Sequence, residues 1–226
     1  SIDLVTVTAV VRDRRGRLVR NLSRSDFELL DAGEPRPISE FRVEPASISV
    51  ALLVDVSGSM EVGTRRDSAR LAAHHVLSWL ESGKDQAALF AFDARLHEIH
   101  DFTTAVGDLH DSIDRTDPYG VTSLHDAIAE TARRVVAEGG PRRAVVVLTD
   151  GVDTSSRLTA PEVSGIASAI DVPVYIIAVV SPVDHPGGRD AVVEAATPVQ
   201  GALADLARWT GGQLFIASAP SHASIA

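Results

Sequence analysis

The chain has 226 residues, of which 45% are hydrophobic and 23% charged, with 16 Gly, 11 Pro and no Cys. That is ample apolar material for a core, so a disordered chain is excluded, and glycine is far too scarce for a collagen-like one. A formal net charge of −10 argues against a phosphate-backbone binder, so no nucleic-acid partner is expected.

No apolar run reaches the ~18 residues of a membrane-spanning helix, and no transmembrane segment is expected. The lack of cysteine removes disulfide scaffolds, thiolate zinc sites and cysteine nucleophiles together. The chain opens on Ser1 and its single methionine is Met60, so the native start is expected upstream.

Along the chain, Val5, Val7, Ala9 and Val11 alternate in the period-2 pattern of a half-buried strand, followed by a turn at Asp13–Gly16. A short strand is predicted around Phe27–Leu30 and a turn at Asp31-Ala32-Gly33. A third strand, with Ile38, Phe41 and Val43, closes the segment before Pro45. So small a meander is marginal unless its apolar face is covered.

From Ile48 the pattern changes. Residues 48–54 form a near-continuous apolar run, as in a strand buried on both faces of a parallel sheet. Arg65–Leu80 carries apolar residues at helical spacing. Gln86–Phe92 and Arg95–Phe102 read as an antiparallel hairpin. Helices are predicted over Ala105–Arg115, Ser123–Glu138, Pro161–Ile170 and Ala202–Trp209. Strands are predicted over Ala144–Thr149, Val172–Val180 and Gln213–Ala217.

Buried strands alternating with helices imply right-handed crossovers and helices on both faces. The predicted architecture is therefore a doubly wound, mostly parallel six-stranded sheet with one antiparallel strand, Rossmann-like and three-layered, preceded by a small β-rich segment. The expected division is a β-rich segment over 1–45, the α/β domain over 46–217 and a tail over 218–226.

In such a sheet, ligands bind beyond the carboxyl ends of the strands, where the strand order reverses. The first central strand ends in Asp55-Val56-Ser57-Gly58-Ser59, and the strand over 144–149 in Thr149-Asp150-Gly151-Val152-Asp153. Gly120-Val121-Thr122-Ser123 precedes a helix. Asp55, Ser57 and Ser59, Thr122 and Asp150 can thus bring hydroxyls and carboxylates to one edge. An all-oxygen set with few formal charges fits a hard divalent cation, Mg²⁺ with Mn²⁺ or Ca²⁺ as alternatives, better than it fits zinc. The same residue types also make ordinary turns and helix N-caps.

Asp55-x-Ser57-x-Ser59, Gly120-x-Thr122-x-Leu124-x-x-Ala127 and Thr149-Asp150-Gly151 together resemble the three parts of the metal-ion-dependent adhesion site of von Willebrand factor type A domains. The resemblance runs from about Ile48 to Ala217, with Gly211–Phe215 similar to the last helix-to-strand turn of the family. It implies that Ser57, Ser59 and Thr122 are direct or near-direct ligands, while Asp55 and Asp150 act mainly through bound water or by orienting the serines. Asp153 falls outside the pattern. The leader, with Asn21-Leu22, Asp26-Phe27 and Asp31-x-Gly33, resembles that of bacterial secreted proteins with type A domains, abundant in acidobacteria, which implies a secreted, periplasmic or cell-surface location. In that group more β-rich sequence follows the domain, so a truncated module is expected.

The function implied is a monomeric, non-enzymatic binding module whose ion completes its shell with a Glu or Asp carboxylate of a protein partner. An alternative is a metal-dependent hydrolase or phosphatase-like enzyme, with a strand-end Asp as nucleophile or hydroxide generator. Against it, the only lysine, Lys84, lies far from the site, and the Asp-x-Asp of aspartyl-phosphate enzymes is Asp55-Val56-Ser57 here. A third reading is a scaffold in which the site serves stability alone. Among the histidines, His97 and His100 are expected at the surface with the wrong spacing for a zinc motif. His74 and His75 are expected to diverge on their helix, and His125 to face solvent.

Overall fold

A computed structural model describes residues 22–41, 47–115, 120–140, 142–180 and 198–218, together with residues 5, 7, 11 and 19. The chain divides into two compact units, Ser1–Pro45 and Ala46–Ala226.

In the first unit, Ser23 opens a single 3-10 turn over Arg24–Asp26, where the Asp26 carboxylate accepts from the Ser23 amide and hydroxyl, both at 2.7 Å. Strands β1 (Leu29–Asp31) and β2 (Glu34–Arg36) then form a two-stranded hairpin. Ala32 and Gly33 both hold positive φ, 51° and 86°, the signature of a tight two-residue turn whose twist matches the strands.

That turn corrects the sequence expectation. By pairing Asp31 with Glu34 it places the returning strand at once, so the partner is Glu34–Arg36 and Ile38–Phe41 has no regular structure. Val43 and most of the strand predicted over Val5–Val11 lie outside the described residues. One backbone bond, from the Val19 N–H to the Val11 carbonyl, spans the predicted Asp13–Gly16 turn.

The second unit is built on a six-stranded sheet. Its elements in chain order are β3 (Ile48–Asp55), α1 (Arg65–Leu77), β4 (Gln86–Phe92), β5 (Leu96–Thr103), α2 (Asp108–Asp114), α3 (Leu124–Glu138), β6 (Arg142–Thr149), α4 (Ala160–Ala169), β7 (Val174–Val180), α5 (Pro198–Trp209) and β8 (Leu214–Ser218). The strand order is β5-β4-β3-β6-β7-β8, parallel except for β5.

Strand β3 alternates its side chains between two cores. Val50, Leu52 and Val54 share one with Ala69, Ala73 and Leu77 of α1 and with Leu109 and Ile113 of α2. Ala51 and Leu53 share the other with Leu124 and Ile128 of α3, Val163 and Ala167 of α4, and Leu203 and Leu206 of α5. This double coverage is why residues 48–54 read as continuously apolar. The edge strand β5 has one face in water and pairs with β4 through two register shifts.

At the far edge, the α5–β8 turn passes close under β7. A Cβ on Gly212 would overlap the Val174 carbonyl, whereas one on Gly211, at φ 85°, would meet open space. Gly212→Ala is accordingly expected to cost about 3 kcal/mol or to prevent folding, and Gly211→Ala about 1–2 kcal/mol from its left-handed backbone alone. Urea unfolding of both variants measures the difference, and equal costs would contradict the close approach.

Candidate functional site

The strand order reverses at β3: the chain runs outward through β4 and β5, then crosses back to β6 on the other side of β3. The helix after β3, α1, belongs to one core and the helix after β6, α4, belongs to the other. The two connections therefore part above the β3–β6 junction and leave a crevice at the carboxyl ends. Register sets Val54 beside Leu148, which brings the next residues, Asp55 and Thr149, side by side.

Asp55 is 2% exposed. Its Oδ1 accepts from the Ser57 amide at 2.9 Å, and its Oδ2 accepts from the Thr149 hydroxyl at 2.5 Å. The first bond folds the chain back so that Ser57 and Ser59 present their hydroxyls together, 3.1 Å apart. Thr149 in turn accepts from the Gly151 amide at 3.0 Å, shaping the turn that carries Asp150.

Thr122 arrives by a different route. The Gly58 amide donates to the Gly120 carbonyl at 3.0 Å, joining the two loops, and Gly120 makes its turn at φ 93°, a conformation that favours glycine. The Thr122 amide donates to Thr154 Oγ1, and its carbonyl accepts from the amides of Thr154 and Ser155. Thr122 is buried. Asp55, Ser57 and Ser59 thus form one bonded array, Thr122 sits on the adjoining loop, and Asp150 is tied to the array through another residue.

That residue is Arg65, which the sequence analysis did not select. Its Nη1 donates to the Ser59 carbonyl at 2.8 Å and to Asp150 Oδ2 at 3.0 Å, with the two side chains 14% and 3% exposed. A sequence signal exists: Arg65 and Arg66 open a helix, where cations oppose the helix dipole, so a compensating carboxylate is to be expected. Which carboxylate was not legible. Thr149 stood within the Thr149-Asp150-Gly151 motif but was assigned no role of its own.

Electrostatically the array is under load. Burial pushes the Asp55 carboxyl up to about 6; the bonds from Ser57 and Thr149 oppose this, and the nearby Asp150 charge adds to it.

Around the edge of the site, Asp153 accepts from the amides of His125, Ser155 and Ser156 and pairs with His125 Nδ1 at 3.0 Å. Burial tends to raise the Asp153 carboxyl, but those bonds outweigh it and hold it below the ordinary value. His125 is only 20% exposed, which corrects the expectation that it faces solvent: the Asp153 loop folds over the start of α3 and covers it.

His97 bonds Asp93 at 3.1 Å on the exposed strand β5. His75 packs edge-on against Trp79, while His74 turns away to meet His110 of α2, with the two Nδ1 atoms 2.5 Å apart and its Nε2 on Asp114. The separation of the ring centres, 4.8 Å with the planes 9° apart, is about two ring radii plus that gap. The two imidazoles are hydrogen-bonded through these nitrogens.

The chemistry of the central donor set suits a hard divalent ion: all oxygen, two carboxylates and three hydroxyls. Positive charge is already accommodated here, since the Arg65 guanidinium bridges Asp150 and the Ser59 carbonyl. Among the described residues no three His, Asp or Glu side chains gather into a metal-binding group, so an ion at this edge would depend on the serine and threonine hydroxyls.

Fold and crevice together define a three-layer α/β domain with its polar edge at the sheet's reversal point. Residues 50–152 match the family model of the von Willebrand factor type A domain. The conserved hypothetical protein BatB from Bacteroides thetaiotaomicron superposes with a TM-score of 0.59 at 17% identity, over 78% of this chain and 93% of that one. The vWF domain of the type V pili tip protein Mfa5 from Porphyromonas gingivalis gives 0.57 at 11% identity, over 78% and 91%. A von Willebrand factor type A protein from Catenulispora acidiphila gives 0.58 at 17% identity, over 76% of this chain and 38% of that one. These likenesses are of fold. No curated protein matches the chain.

The Asp55 shift has a definite sign. A carboxyl raised in the folded state is neutral there while already ionised in the unfolded chain, so stability falls as pH rises from about 4 to about 6 and stays reduced above. With chelator present, wild type is expected to lose about 2 kcal/mol relative to Asp55→Asn between pH 4 and pH 7. Parallel melting curves of the two proteins across that range would show that Asp55 is not under this load.

Proposed function

We propose that the domain is a divalent-cation-dependent protein-binding module. The ion, Mg²⁺ in the cell, would be held at Ser57, Ser59 and Thr122, with Asp55 and Asp150 contributing charge and orientation. An open position would take a Glu or Asp carboxylate from a protein partner. A metal at this edge would supply Lewis-acid attraction for that carboxylate.

The observation that carries the reading is the Asp55–Ser57–Ser59 array: two hydroxyls 3.1 Å apart, set by a buried carboxylate at the fold's switch point. Both Asp55 oxygens are already engaged, by the Ser57 amide and the Thr149 hydroxyl, which suits a positioning carboxylate better than a nucleophile. The adhesion reading is therefore favoured over the hydrolase one.

No described helix is long and apolar enough to cross a membrane. A setting outside the cytoplasm belongs to the same proposal and accords with the likeness to a domain of a pilus tip protein.

Calorimetric titration with Mg²⁺ or Mn²⁺ is expected to show one site in wild type, and none in Asp55→Ala or Asp150→Ala. Binding that survives in both variants would reject the assignment. Capture of a partner from native extract is expected to be lost on adding chelator; capture indifferent to chelator would favour a scaffold role.

A further inference from the structure

Arg65 stands out because it carries a cation to a place built for one. It opens α1 six positions after Ser59, and its guanidinium reaches back over the turn to the Ser59 carbonyl and across to Asp150. The ion pair is enclosed, with Asp150's side chain 3% exposed. A cation in the first turn of a helix is disfavoured by the helix dipole, so the placement needs the carboxylate to hold it.

Asp150 is left with little to spare. Its Oδ1 accepts from the Val152 amide at 3.2 Å and its Oδ2 from Arg65. A divalent ion that draws on Asp150, directly or through water, must share or take the oxygen that Arg65 holds. Two cations on one small carboxylate repel each other in a site where burial strengthens every charge interaction.

We propose that Arg65 is the resident cation of this site: it holds Asp150 while no divalent ion is bound, and a divalent ion must win that carboxylate from it, so that Arg65 sets how much metal is needed to fill the site. The inference rests on the metal-binding reading above and adds a residue that tunes it. It also bears on partner binding. Two carboxylates and one guanidinium leave a single net negative charge, so a site loaded with a divalent ion is net positive and attracts an acidic visitor even though the chain carries a net charge of −10.

The test is calorimetric titration of the whole chain with MnCl₂, comparing wild type, Arg65→Gln and Arg65→Lys. Arg65→Gln removes the competing charge and is expected to tighten Mn²⁺ binding by about ten- to a hundredfold, the worth of one hydrogen bond to a charged group. Arg65→Lys keeps the charge and is expected to stay near wild type.

A second readout uses melting temperatures. With chelator Arg65→Gln is expected to melt below wild type, and on adding Mn²⁺ to gain more than wild type does. Equal or weaker Mn²⁺ binding in Arg65→Gln would overturn the proposal while leaving the metal site standing. Failure of all three proteins to bind Mn²⁺ would overturn the metal reading and this inference with it.

Should Arg65→Gln not fold, titrating ¹⁵N-labelled wild type with Mg²⁺ decides the matter. The Arg65 guanidinium signals are expected to shift as the ion binds, and signals unmoved through saturation would overturn the proposal.

Discussion

A buried carboxylate at the end of the central strand sets the terms for the polar edge of this domain. Asp55 is almost wholly removed from water, and an ionised group in such a place must be surrounded by donors or by positive charge. The structure surrounds it with the Ser57 amide and the Thr149 hydroxyl, one from its own turn and one from the neighbouring strand. These two bonds do more than solvate the charge. The first folds the turn that brings Ser57 and Ser59 together, and the second ties β3 to β6 at the point where the sheet changes direction.

The remaining loops of the edge are fastened to this centre through the backbone. The Gly58 amide on the Gly120 carbonyl, and Thr154 and Ser155 on the Thr122 carbonyl, link the segment after β3, the segment before α3 and the segment after β6. Asp153 meanwhile takes up the His125 amide where α3 begins, a donor that a helix start otherwise leaves open, and the Ser155 and Ser156 amides of its own loop. The loops carrying Ser57, Thr122 and Asp150 are thus mutually supported.

Charge at this edge is balanced unevenly. Asp55 is satisfied by neutral donors, while Asp150 is satisfied by a guanidinium. The metal-binding proposal requires a metal-free state that is stable without being so well satisfied that no ion can displace its contacts. An arginine pairing with one carboxylate and leaving the other to hydroxyls gives an intermediate condition, in which Asp55 remains under load.

The local order of the α/β unit was legible in the sequence, because period-2 and period-3.6 patterns are set by near neighbours and by whether one face or both are buried. Continuous apolar runs at 48–54 and 144–148 announced doubly covered strands, and the alternation of helix and strand announced the crossovers. Asp55, Ser57 and Ser59 were legible as a group for the same reason, since they share one turn. The third N-terminal strand was misplaced because a turn with two positive-φ residues returns the chain immediately, a choice that Ala32 does not advertise.

What only the tertiary structure decided are the contacts between residues far apart in the chain: Thr149 on Asp55 across 94 positions, Arg65 on Asp150 across 85, and His74 on His110 across 36. Each depends on how the strands order and which face each helix takes, and no local periodicity encodes which distant carboxylate a given arginine will meet.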